Sequence, residues 1–151
     1  MIHNSLIDTF SVLLCQNMRF IQKLAPEELG RLGINLSHIV CMRIIDTNTG
    51  GVTARVLCET TGYDKALISR MLGTLDKLGY TERNPADVDM RRGCRYVLTD
   101  LGSQLIERME AFFGELSQTL VSGVDENELK SFYRTAALFT DKLRDLSEKN
   151  D

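Results

Sequence analysis

The chain has no cysteine pair at CxxC spacing, and only two histidines, His3 and His38, among its 151 residues. Zinc-type sites need several thiolate or imidazole ligands clustered at short spacing, so no metal site is expected. Cys15, Cys41, Cys58 and Cys94 are scattered. In a chain without an export signal they are expected to be reduced, mostly buried thiols that pack as small hydrophobes. Long apolar runs are lacking as well. Ile39–Met42 and Val12–Cys15 fall far short of the roughly 20 residues that cross a bilayer, so no membrane association is expected. The N-terminus shows no basic region followed by an apolar stretch and a small-residue cleavage site, which reads as a cytoplasmic protein. There is no convergent carboxylate pair and no glycine-rich phosphate loop. With the histidines far apart, nothing equips the chain for catalysis, and neither enzyme activity nor a cofactor is expected.

What remains is an ordinary globular composition, 43% hydrophobic and 26% charged, long enough for one domain with a sizeable core. The net charge of −3 is unevenly spread. From Tyr63 to Thr99 seven bases face five acids, whereas the rest of the chain carries eleven bases and sixteen acids. A mildly basic middle between acidic ends suits a protein that meets phosphates with one part only.

Hydrophobic spacing organises the chain. Leu6, Phe10, Leu13, Leu14, Met18, Ile21 and Leu24 recur at steps of three and four, predicting a first helix that ends at Ala25-Pro26. An irregular link runs to Asn35, and Ser37 is expected to cap a second helix reaching about Asn48, before Gly50-Gly51. A short third helix spans about Thr53 to Thr61 and stops at Gly62. A fourth is capped by Asp64, runs to Leu78 and stops at Gly79. Its inward residues are Ile68, Met71, Leu72, Leu75 and Leu78; Lys65, Ala66, Ser69, Arg70, Gly73 and Lys77 face outward. Two short helices around a tight turn make a helix-turn-helix candidate. Tyr80–Arg83 and Arg95–Thr99 then form a hairpin, a wing, around a polar loop from Asn84 to Gly93. Two more amphipathic helices follow, one starting at Thr99 or Asp100, the other at Asp125 with Glu128 in capping-box spacing. The fold expected is mainly α (α+β), a winged helix-turn-helix over residues 36–100 within a single domain of residues 1–151. Residues 1–25 and 101–148 supply the helices of a dimerisation lobe, because apolar stripes of that extent need a partner and a two-fold homodimer is the economical one.

The run from Thr53 to Gly102 resembles the DNA-binding region of the MarR (multiple antibiotic resistance regulator) family. The likeness is carried by Leu57 and the Gly62 turn, Asp64-Lys65-Ala66, Ile68-Ser69-Arg70, Leu72, Leu75, Gly79, Arg83, Arg91-Arg92 and Leu98-Thr99-Asp100-Leu101-Gly102. Three positions depart from the family pattern. Met90 stands where an acid usually precedes the wing arginines, Thr61 replaces a leucine, and Val40-Cys41 lacks the usual aromatic and glutamine.

The resemblance implies a sequence-specific regulator of transcription, a repressor by family habit, bound as a homodimer to a pseudo-palindromic operator in duplex DNA. Ser69 and Arg70 project where base edges are read, with Lys65 one turn earlier and Ala66 small enough to allow close approach. Arg91 and Arg92 are expected in the minor groove, steadied by Asp89, and Thr53 and Arg55 on phosphates. The family is usually released by a small aromatic or anionic effector held between the dimer helices and the DNA-binding lobe. Two alternatives carry weight. A redox regulator would use Cys15 in the first helix, although the sensor position of such relatives falls nearer Ser11. A winged helix can also serve as a protein-interaction module without DNA.

Overall fold

The computed structural model describes residues 5–87 and 93–149. Among the described residues, seven helices and three strands follow in the order α1 (Leu6–Leu24), α2 (Glu27–Arg31), α3 (Leu36–Asp46), β1 (Val52–Thr53), α4 (Ala54–Thr61), α5 (Lys65–Lys77), β2 (Thr81–Arg83), β3 (Arg95–Leu98), α6 (Asp100–Val121) and α7 (Glu126–Glu148). The chain divides into two compact units, residues 1–109 and 110–151. The architecture is the expected winged helix-turn-helix, helical apart from one small antiparallel sheet.

Helix boundaries follow local chemistry. The Ser5 hydroxyl accepts from Asp8 N–H while the Asp8 carboxylate accepts from Ser5 N–H, a reciprocal cap that starts α1. Two expectations about the next segment are corrected. The link after Pro26 contains a turn and a half of helix, α2, anchored by the buried Leu29. And α3 is capped by Asn35, whose side-chain oxygen accepts from the N–H groups of Ser37 and His38, so Ser37 lies inside the first turn. The His38 ring closes that cap by accepting from Asn35 N–H through Nδ1 at 3.2 Å. Partial burial lowers the His38 pKa and favours this neutral, accepting form.

The sheet is ordered β1-β3-β2. Strand β3 pairs antiparallel with β2 through Thr81–Leu98, Glu82–Val97 and Arg83–Tyr96, and with the two-residue β1 through Val52–Tyr96 and Thr53–Arg95. Gly51 leads into β1 at φ +82°, a region L side chains rarely enter, and a Cβ there would collide with the Tyr96 carbonyl.

The sheet and α3 to α5 enclose a core of Cys41, Ile45, Val52, Leu57, Ile68, Met71 and Leu72. Fully burying side chains such as Leu57 and Ile68 contributes about 1.5–3 kcal/mol each. Leu105, Ile106 and Met109 are buried too, on the first part of α6. Arg108 reaches Glu28 of α2 at 3.0 Å. Helix α1 has no buried residue: Leu6, Leu13, Leu14, Met18 and Leu24 are exposed in the single chain. In the second unit, Asp125 caps α7 by accepting from the N–H groups of Asn127 and Glu128. Phe132 and Tyr133 stack edge to face and stay exposed.

Thr81 is the buried anomaly. Only 1% of it is exposed, and its hydroxyl has no hydrogen-bond partner among the described residues. Thr81→Val keeps the β-branched shape and deletes the unpaired group. It is expected to raise stability by about 1 kcal/mol, read as a higher denaturation midpoint at unchanged slope.

Candidate nucleic-acid interface

Helices α4 and α5 meet at a turn built for a sharp change of direction. Gly62 ends α4 in the left-handed conformation, φ 73°, with its N–H on the Cys58 carbonyl. Thr61 donates its hydroxyl to the Leu57 carbonyl and accepts from Tyr63 N–H. Asp64 then caps α5, its carboxylate accepting from Leu67 N–H at 2.8 Å, and its charge favours the positive helix end.

The two faces of α5 separate as the spacing predicts. Ile68, Met71, Leu72 and Leu75 are buried, while Lys65, Ala66, Ser69, Arg70, Gly73 and Lys77 are exposed. Leu78 departs from expectation. It is 38% exposed because the helix ends at Lys77 and Leu78 forms the cap, beyond the packed stripe. The exposed face therefore presents three cations, a hydroxyl and two positions with little or no side chain. Most of this lies in the N-terminal half of the helix.

Thr53 and Arg55 lie just before and within α4. The Thr53 hydroxyl caps that helix by accepting from Val56 N–H, which leaves its own proton to donate. Arg55 is exposed but already holds Glu59 one turn on, Nε to Oε1 at 2.7 Å. A phosphate contact by Arg55 has to compete with that carboxylate.

In the wing, Asp89, Met90, Arg91 and Arg92 lie outside the described residues. An acid that the sequence reading passed over holds the described part. Asp87 accepts from Arg95 N–H at 2.7 Å and from the Arg95 guanidinium at 2.9 and 2.5 Å. Asn84 fastens the same base, donating to the Gly50 carbonyl at 2.8 Å and accepting from Ala86 N–H. Asp87 and Arg95 stand eight positions apart in the sequence, so no periodic signal marks the pair.

The Arg95 hydrogen bonds hold the Asp87 carboxyl below the ordinary aspartate range. Its contribution is therefore present above the unfolded value of about 3.9 and is lost as pH falls through the lower folded value. The Arg95 amide resonance is expected to titrate with a midpoint below that unfolded value, and Asp87→Asn to abolish the titration.

Of the cysteines, Cys41 is buried, Cys58 and Cys94 are half-buried, and Cys15 is exposed on α1. The expectation of mostly buried thiols fails for Cys15 in the single chain. Desolvation, helped by nearby Cys58, pushes the Cys41 thiol up to about 11, which makes it inert. Among the described residues no group of three or more His, Cys, Asp or Glu side chains could hold a metal ion, and no helix is long and apolar enough to cross a membrane.

A cleft of about 470 Å³ opens where α1, α2 and α3 approach one another, its apolar wall including Pro26, Leu29 and Ile34. Gln22, Glu27, Asn35 and Ser37 supply its polar groups.

Residues 32–92 match the family model described as MarR family. Solved structures with the same fold include a MarR protein from Peptoclostridium difficile, with TM-score 0.83 and 15% identity over 100% of this chain and 97% of that one. A MarR/EmrR family regulator from Acinetobacter sp. ADP1 aligns with TM-score 0.79 and 18% identity, covering 94% and 99% of the two chains. The MepR protein of S. aureus, solved in complex with DNA, aligns with TM-score 0.77 and 21% identity over 92% and 99%. The family match falls on the helix-turn-helix and wing, and the fold of MarR-family regulators is shared over nearly the whole length of the chain.

Proposed function

We propose that the protein is a DNA-binding transcriptional regulator, a repressor, that places α5 in the major groove. One observation carries the reading. The buried stripe of α5 fixes its rotation, so that Lys65, Ala66, Ser69 and Arg70 stand together on the exposed face. A major groove admits one helix, and donors with small neighbours near its N-terminal half suit base edges. Thr53 and Arg55 at the start of α4 meet phosphates, and Arg91 and Arg92 enter the flanking minor groove.

The active species is a homodimer. The exposed apolar residues of α1, together with Leu120, Phe132 and Tyr133 further on, supply the surface that a second copy covers. Two recognition helices related by a two-fold axis read half-sites about one helical turn, roughly 10 bp, apart. The cleft beside α1 to α3 receives a small-molecule effector that releases the DNA, its volume lying within the range of ligand pockets. No catalytic role is assigned.

Titration of the purified chain against its own promoter region over a salt series tests the reading. Binding is expected to fall steeply with salt and to prefer that DNA over random duplex by about a thousandfold or more. Equal, salt-insensitive affinity for both duplexes overturns it.

A further inference from the structure

The first turn of α3 is a wall of the cleft, and it also touches the helix-turn-helix. Ser37 lines the cleft. Its hydroxyl lies 3.1 Å from the phenol oxygen of Tyr63, 26 residues further along the chain. Tyr63 occupies the α4–α5 turn, between the left-handed Gly62 and the cap residue Asp64. Its ring packs against the core that holds Leu57, Ile68 and Leu72. One hydrogen bond thus ties a ligand-sized cleft to the residue next to the cap of α5.

The chemistry of the cleft narrows its occupant. Among the described residues Glu27 is its single charged lining residue, and the partner of that carboxylate, Arg31, stands outside the lining. The Asn35 side-chain oxygen is engaged in capping α3. Gln22 and Ser37 remain to greet a ligand, among apolar neighbours such as Leu29 and Ile34. An anion would meet a carboxylate and no facing cation.

We infer that the cleft takes an uncharged, partly apolar ligand with a hydrogen-bonding group, and that its occupancy reaches α5 through the Ser37–Tyr63 hydrogen bond. The ligand takes over the Ser37 hydroxyl, the Tyr63 phenol is released, and the turn that presents Asp64 to Leu67 loosens. This deepens the effector reading of the cleft and rests on it.

Amide hydrogen exchange and DNA-binding anisotropy on the full chain test the inference, comparing the parent with Ser37→Ala, Ser37→Thr, Tyr63→Phe and the double variant Ser37→Ala/Tyr63→Phe. Each hydroxyl deletion is expected to speed exchange at Leu67 and Ile68 about fivefold, leaving Met42 in α3 as the unmoved control for global stability. The double variant should exchange no faster than either single one, because both remove the same bond. Ser37→Thr should retain protection. Benzamide, an uncharged probe, should speed the same amides in the parent but not in Tyr63→Phe, and benzoate should not. Unchanged protection in the single variants, additive effects in the double variant, or no response to benzamide overturns the inference. The exchange readout needs no DNA, so failure to bind DNA defeats the regulator reading separately.

Discussion

Arg70→Ala is expected to weaken operator binding by about 2–6 kcal/mol, and to do so selectively for the operator over random duplex. A bidentate arginine contact to a base edge discriminates by about 1–3 kcal/mol, and a two-fold dimer places the contact in both half-sites, doubling the loss. Structural damage is a poor explanation for such a result. Arg70 is exposed on α5, and its carbonyl accepts a hydrogen bond from the Thr74 hydroxyl that does not depend on the side chain. The variant should therefore keep the parent's thermal midpoint. Lys65→Ala provides the contrast: a contact to phosphate alone would lower affinity for all sequences alike and reduce the salt slope by about one per subunit. If Arg70→Ala binds the operator as the parent does, α5 is not the reading helix.

Gly102→Ala is expected to cost about 3 kcal/mol of stability and to lower the thermal midpoint by roughly 10 °C at matched protein concentration. Gly102 is buried in the first turn of α6, where a Cβ would collide with the Tyr80 carbonyl. That carbonyl is already committed to Thr99 N–H. Thr99 in turn donates its hydroxyl to the Gly79 carbonyl and accepts from Gly102 N–H. The end of α5, the start of β2 and the start of α6 are thus laced together over four residues. The obstruction is backbone, which cannot swing aside as a side-chain tip can. A variant with an unchanged midpoint would mean that α6 can ride away from Tyr80 at no cost.

The two predictions sit at opposite ends of what could be read from sequence. The helix carrying Arg70 was legible because everything that defines it is local. Asp64 caps it, Gly79 follows its end, and Ile68, Met71, Leu72 and Leu75 mark one face at helical spacing. The role of Gly102 was visible only as part of a family pattern. Its reason, a carbonyl 22 positions earlier, depends on how β2 and α6 come together. The same distinction explains the misses. Five-residue α2 buries only Leu29 and has no period to detect. Strand β1 is two residues long and exists through pairing with Tyr96 and Arg95. The pairing of Asp87 with Arg95 carried no sequence signal because the geometry that selects an arginine's partner is formed by the folded hairpin. Leu78 obeyed the helical spacing but fell past the last turn, where spacing no longer fixes direction. The exposed stripe of α1 was legible as a pattern, and the single chain leaves it uncovered.

Thr53 belongs to two elements at once. Its backbone lies opposite Arg95 in the sheet, and its hydroxyl closes the first turn of α4. The wing hairpin and the leading helix of the motif therefore share a joint rather than a flexible hinge. Tilting the hairpin drags the start of α4 with it, so a regulator that sets α5 and the wing in two grooves, as proposed, would grip them at one set spacing. Such a protein would adapt to a stretched or overwound site by deforming the DNA, and its choice among sequences would follow helical stiffness as well as base identity.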